Sequence, residues 1–193
     1  MPARERVQEI LRAQATRNID FNCQGVHINE PLFARVEAGI GNLRVTGSDP
    51  IINVIVDHAL PAGAGAMYDP ARNAILVRDD ALNQTYDEVA VVHEAVHCAF
   101  DIQRRINWRW FGQEAVAYIA GTIYAINKGI PMQTIVSWNP ESATSWEIAR
   151  QLSRGATVTW EQYLPLRNLL LANANNPHSV YYHYNRDYAN NGA

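Results

Sequence analysis

The stretch "AMYDPARNAILVRDDALNQTYDEVAVVHEAVH", residues 66–97, carries two different periods in succession. Its first half is apolar on either side of Asp69-Pro70-Ala71-Arg72-Asn73, which are turn-forming residue types. That pattern predicts a hairpin over residues 64–77 whose second strand runs from Ala74 to Val77. In the second half the apolar residues recur at helical spacing. Thr85 and Glu88 are spaced as a capping box, predicting a helix that opens there and continues to the region of Arg104. A sheet therefore hands over to a long helix within this one segment.

Outward from this segment the same contrast holds. Upstream, residues 3–16 have a charged helical pattern, and "NEPLFARVEAGI" predicts a short helix with Asn29 as N-cap and Pro31 in the first turn. "LRVTG" and "IINVIVDH" read as strands. Downstream, three further helices are expected: one closed by Gly129 and Pro131, one capped by Asn139 and ending at Gly155, and one carrying Pro165 in an early turn. The order helix, mixed sheet, helices gives an α+β class. The chain of 193 residues is expected to form a single domain, with a helix-and-sheet lobe over 1–83 and a helical lobe over 84–193.

The polar residues of the long helix sit in an apolar context. His93, Glu94 and His97 lie within "EVAVVHEAVHCAF". Residues four apart on a helix are separated by about 40° around the axis and about 6 Å along it, so two imidazoles can converge on one ion. The glutamate after the first histidine leans beside that face, within reach of water held at the ion. Buried histidines and a buried glutamate are costly unless paired or bound to metal. Surface histidines at this spacing, merely hydrogen-bonded, are the bland alternative.

A catalytic zinc site takes three protein ligands and keeps a fourth position open. A metzincin would place glycine and histidine three and six residues after His97, but Phe100 and Gln103 stand there. The next candidate is Glu114 in "FGQEAVAYIAG", a lone acid among small apolar residues on the following helix. Taken alone, Glu114 reads equally as an exposed residue near a helix start, favoured by the macrodipole.

"HEAVH" at 93–97 followed by "QEAVA" with Glu114 resembles the zincin metallopeptidases of the gluzincin type, in their small single-domain forms. The resemblance spans residues 64–124, where a hairpin strand precedes the active-site helix. It implies a zincin-like fold, zinc held by His93, His97 and Glu114, Glu94 as general base, and a peptide or protein substrate laid along the edge strand of the hairpin. Many such enzymes carry an aspartate four residues after the glutamate ligand, orienting the first histidine. Here that position is Tyr118, and Asp101 is either a substitute or a solvated residue near the helix end. A donor to the substrate oxyanion is expected from Tyr86 or from His178, Tyr181, Tyr182, His183 or Tyr184. Trp108 and Trp110 either line a pocket or cover a core edge.

Composition excludes several classes. The net charge is only −3 with scattered basic residues, so neither nucleic acid nor an anionic membrane is an expected partner. The N-terminus lacks the apolar core of a signal peptide, and no run has membrane-spanning length. Cys23 and Cys98 form neither a metal pair nor a disulfide framework and are expected as free thiols in a cytoplasmic, reducing compartment. The expected function is zinc-dependent peptide hydrolysis, as a housekeeping peptidase or as an effector exported by a delivery apparatus. The alternatives are a zincin-like binding or structural protein without hydrolytic activity, and hydrolysis of a non-peptide bond.

Overall fold

The protein is described by a computed structural model covering residues 2–41, 51–61, 63–79, 82–103 and 110–174. The expected strand at "LRVTG", Trp108, the side chain of Trp110 and the tail from residue 175 lie outside the described residues. The chain begins with α1 (Ala3–Arg12) and α2 (Gln14–Arg17), then β1 (Phe21–Cys23) and β2 (Val26–Ile28). It continues through α3 (Glu30–Ile40), β3 (Asn53–Val56), β4 (Ala66–Asp69) and β5 (Ala74–Val77). The second half contains α4 (Thr85–Ile102), α5 (Trp110–Asn127), α6 (Met132–Val136), α7 (Pro140–Ala149), β6 (Ala156–Val158) and α8 (Trp160–Ala174). The class is α+β with two small mixed sheets.

The single helix expected over 3–16 is two. Ala13 leaves helical geometry with ψ of 145°, and the buried Thr16 hydroxyl donates to the Ile10 carbonyl at 2.6 Å. The Ile10 carbonyl accepts from the Ala13 amide as well, at 3.2 Å, so the end of α1 is held by two donors at the break. Asn29 caps α3 as expected, its side chain accepting from the Leu32 amide at 3.3 Å.

The hairpin of β4 and β5 forms as read, with Ala66 opposite Val77 and Asp69 opposite Ala74. β5 is central: β3 pairs with it in parallel on the other side, so β4 is an edge strand. All four residues of β5 are buried, which explains its unbroken apolar run. A second sheet was not expected. β1 and β2 join through Gln24 and Gly25, both at positive φ, as a two-residue hairpin turn requires. β6 then pairs in parallel with β1, Phe21 opposite Ala156, which ties the two halves of the chain together. One continuous core runs from Val7 and Ile10 through Ile75 and Val77 to Leu166 and Leu170, shared by the segments before and after residue 83.

α4 opens one residue earlier than the capping box at Thr85 and Glu88 predicts. Gln84 is the N-cap, and the Asp87 carboxylate accepts from its amide at 3.3 Å. Glu88 turns inward instead, accepting from the Tyr124 hydroxyl at 2.7 Å and pairing with Lys128 at 3.0 Å and with Arg6. Packing of α1 and α5 against this turn of α4 outcompetes the local cap. α5 lies along α4, and Gly121 permits the contact: a Cβ there would be 3.2 Å from Val89 Cγ1 and 3.4 Å from the Val89 carbonyl oxygen. α5 closes at Gly129, whose φ is +75°, with the Ile130 amide donating to Ala125 at 3.0 Å. α7 starts at Asn139, which caps the Ser142 amide at 2.7 Å, but ends at Ala149, well before Gly155. Among the described residues, no helix is long and apolar enough to cross a membrane.

Candidate metal centre

The middle of α4 and the second turn of α5 meet at three side chains. His93 Nε2 is 3.2 Å from Glu114 Oε2, His97 Nε2 is 3.1 Å from Glu114 Oε1, and the two Nε2 atoms are 3.3 Å apart. His97 and Glu114 are buried at 2% and 7% exposure, so the exposed helix-start alternative for Glu114 does not hold. Each helix contributes for a simple reason. The four-residue spacing puts both imidazoles on one face of α4, and the small residues around Glu114 let α5 approach that face.

The donor set fits a divalent ion. Ligands at about 2.0–2.1 Å in tetrahedral geometry are about 3.3–3.4 Å from one another; the two imidazole nitrogens are 3.3 Å apart, one Glu114 oxygen is 3.2 Å from His93 and the other is 3.1 Å from His97. Charge-assisted N–H···O bonds are typically shorter, about 2.7–2.9 Å. Two facing imidazole nitrogens also cannot both present protons to each other, whereas a shared cation accepts both lone pairs. Among the described residues, this is the one group of His, Cys, Asp and Glu side chains arranged to hold a metal.

The electrostatics show what the cluster does with protons. Burial alone would push the Glu114 carboxyl up, but the two imidazoles outweigh it and hold the group well below the usual carboxylate range. Burial likewise disfavours a charged His97, yet the Glu114 carboxylate, helped by Glu94 and Gln113, raises it to about 8. Glu94 is different. Burial pushes its carboxyl up, and the opposing pull of His93, His97 and the Tyr68 amide is smaller.

The cluster faces a cleft of about 320 Å³. One wall is the β4 backbone from Gly65 to Tyr68; the other includes Val89, Trp138 and Ser142. Gly65 lets β4 close on α4, because a Cβ there would be 3.0 Å from Asp87 Oδ1 and 3.2 Å from Ala90 Cβ. Tyr86 lines the same cleft. Its ring packs edge-on against Trp138 with centroids 5.4 Å apart, and its hydroxyl donates to the Gly63 carbonyl at 2.9 Å. Burial and the nearby Glu94 charge raise its pKa, keeping the phenol a donor. The other oxyanion candidates, His178, Tyr181, Tyr182, His183 and Tyr184, lie outside the described residues.

Around the candidate ligands, Tyr118 packs edge-on against His93 with ring centroids 4.8 Å apart, an aromatic contact and not a carboxylate. Asp101 is not solvated: it is 1% exposed and accepts from the Tyr68 hydroxyl at 2.8 Å. The amide of the same Tyr68 donates to Glu94 Oε2 at 2.8 Å. The small residues of "AGAGAM", Gly65 among them, are legible as a place of close backbone approach, whereas Tyr68, Gly121, Trp138 and Ser142 are not picked out as cleft residues by the sequence. Of these four, Gly121 alone carries a local signal, a glycine within an apolar helix, since close approach is a common reason for one. No protein family model, curated protein or solved structure matches the chain significantly.

Proposed function

We propose that the protein is a zinc-dependent peptidase, with His93, His97 and Glu114 holding the ion and Glu94 serving as general base. The observation that carries this reading is the convergence of His93, His97 and Glu114 on one cleft wall, with a ligand atom of each within 4.8 Å of the others, beside a second carboxyl with a raised pKa. When bound, the zinc ion supplies Lewis acidity that makes water nucleophilic near neutral pH. Glu94 takes a proton from the attacking water and returns it to the leaving amine, a task suited to a carboxyl whose pKa has moved toward neutrality. Glu114, kept ionised by the imidazoles, stays a ligand and does not compete for that proton. Tyr86 is the donor candidate within the cleft for charge developing on the substrate carbonyl, after exchanging its bond to Gly63. The β4 wall receives an extended chain, which favours a peptide over a compact small molecule.

The test is a Glu94→Gln variant assayed for bound zinc and for cleavage of a denatured protein mixture read by mass spectrometry. It should hold zinc at the wild-type level and lose cleavage by at least about a hundredfold, the usual contribution of a general base. Cleavage at the wild-type rate in this variant would remove the mechanism. A wild type that binds zinc and cuts nothing would leave a zincin-like binding protein.

A further inference from the structure

We infer that Tyr68 is a positioning residue that clamps the edge strand to the active-site helix and holds one oxygen of Glu94. The geometry has two fixed points on one residue. From the backbone, the Tyr68 amide donates to Glu94 Oε2 at 2.8 Å. From the side chain, the hydroxyl donates to Asp101 Oδ2 at 2.8 Å, seven residues further along α4. Asn73 Oδ1 is a distant second acceptor at 3.5 Å, so the single hydroxyl proton belongs to Asp101. The Cys98 thiol lies against the same hydroxyl, with burial pushing its pKa up and leaving it a neutral neighbour.

The pairing register explains why this amide is available. The Arg78 amide donates to the Gly65 carbonyl, so residues 65, 67 and 69 turn their hydrogen-bonding groups toward β5. Ala66 and Tyr68 turn theirs the other way, toward α4 and the cleft. A strand edge facing a helix has no ladder to set its distance from that helix. The tyrosine supplies it: Asp101 is 1% exposed and Tyr68 3%, so the phenol–carboxylate bond forms away from water and has one geometry. Holding one Glu94 oxygen on a backbone donor leaves the second for proton transfer and removes rotation about the carboxyl bond. The same bond withholds the Tyr68 amide from pairing with an incoming peptide. The clamp is a matter of geometry alone; its catalytic meaning rests on the proposed role of Glu94.

Amide hydrogen exchange by NMR on the full-length chain tests the clamp without any substrate. In Tyr68→Phe the amide of residue 68 should exchange about tenfold faster, while the amides of Ile75 and Leu76 in β5 keep their rates. Asp101→Asn retains an acceptor oxygen and should leave residue 68 protected; Asp101→Leu should not. Glu94→Ala should release the same amide, and this arm remains decisive if the tyrosine variant does not fold. An exchange rate at residue 68 unchanged by both Tyr68→Phe and Glu94→Ala overturns the inference. On a peptide that the wild type cuts, Tyr68→Phe should lower kcat about tenfold with KM unchanged, since the lost bond orients a base and does not bind substrate. The expected exchange pattern in a zinc-loaded protein that cleaves nothing upholds the clamp and defeats only the peptidase reading.

Discussion

Raising the pH on the metal-free protein should weaken it over one narrow window, because a buried imidazolium is part of what holds α4 to α5. His97 has its pKa raised from 6.5 to about 8 by the Glu114 carboxylate. A group raised in the folded state contributes stability that is complete below its unfolded pKa and is lost as pH climbs through the folded one. The window is therefore pH 6.5 to about 8. At about 1.4 kcal/mol for each tenfold change in proton affinity, this corresponds to about 2 kcal/mol. His97 is 2% exposed, so solvent screening does not reduce the figure. With a urea dependence of about 2 kcal/mol per molar, the midpoint should fall by about 1 M between pH 6 and pH 9. Saturating zinc should abolish the step, because a ligand nitrogen carries no proton. The assay is urea unfolding followed by circular dichroism at half-unit pH steps, with chelator and with excess zinc. A metal-free midpoint flat from pH 6 to 9, or the same step in Glu114→Ala, would refute the coupling of His97 to Glu114.

Three other outcomes follow from named contacts. Elemental analysis should give near one zinc per wild-type chain and large losses in both His97→Ala and Glu114→Ala, because two remaining ligands make an incomplete site. Gly121→Val should lower stability by about 1–3 kcal/mol, read as a thermal midpoint shift, since even a Cβ would stand 3.2 Å from Val89 Cγ1. Glu88→Ala should cost about 2 kcal/mol in urea unfolding with zinc binding retained, because it leaves the buried Tyr124 hydroxyl without its acceptor and removes the ion pairs with Arg6 and Lys128 while lying away from the candidate ligands.

Local chemistry made part of this protein legible. The helix caps at Asn29 and Asn139, the closure at Gly129 and the turn at 69–73 were all readable, because each is settled by a few neighbouring residues. The spacing of His93, Glu94 and His97 is likewise fixed by helix geometry once α4 exists. Where reading failed, a distant partner had decided. Glu88 has the spacing of a cap, yet Arg6, Tyr124 and Lys128 claim it. β1, β2 and β6 are three residues each, too short for a visible period, and β6 meets β1 only through a pairing that spans most of the chain.

The candidate centre divides in the same way. The placement of two candidate ligands and the candidate base was determined by sequence alone, since one helix carries them at an invariant rise and rotation. Only the tertiary structure decided that Glu114 turns inward, that Gly121 and Gly65 let α5 and β4 close on α4, and that Tyr68 holds Glu94. Those relations depend on the distance between packed elements, which no local propensity encodes and which is set only when the shared core excludes water from all of them together.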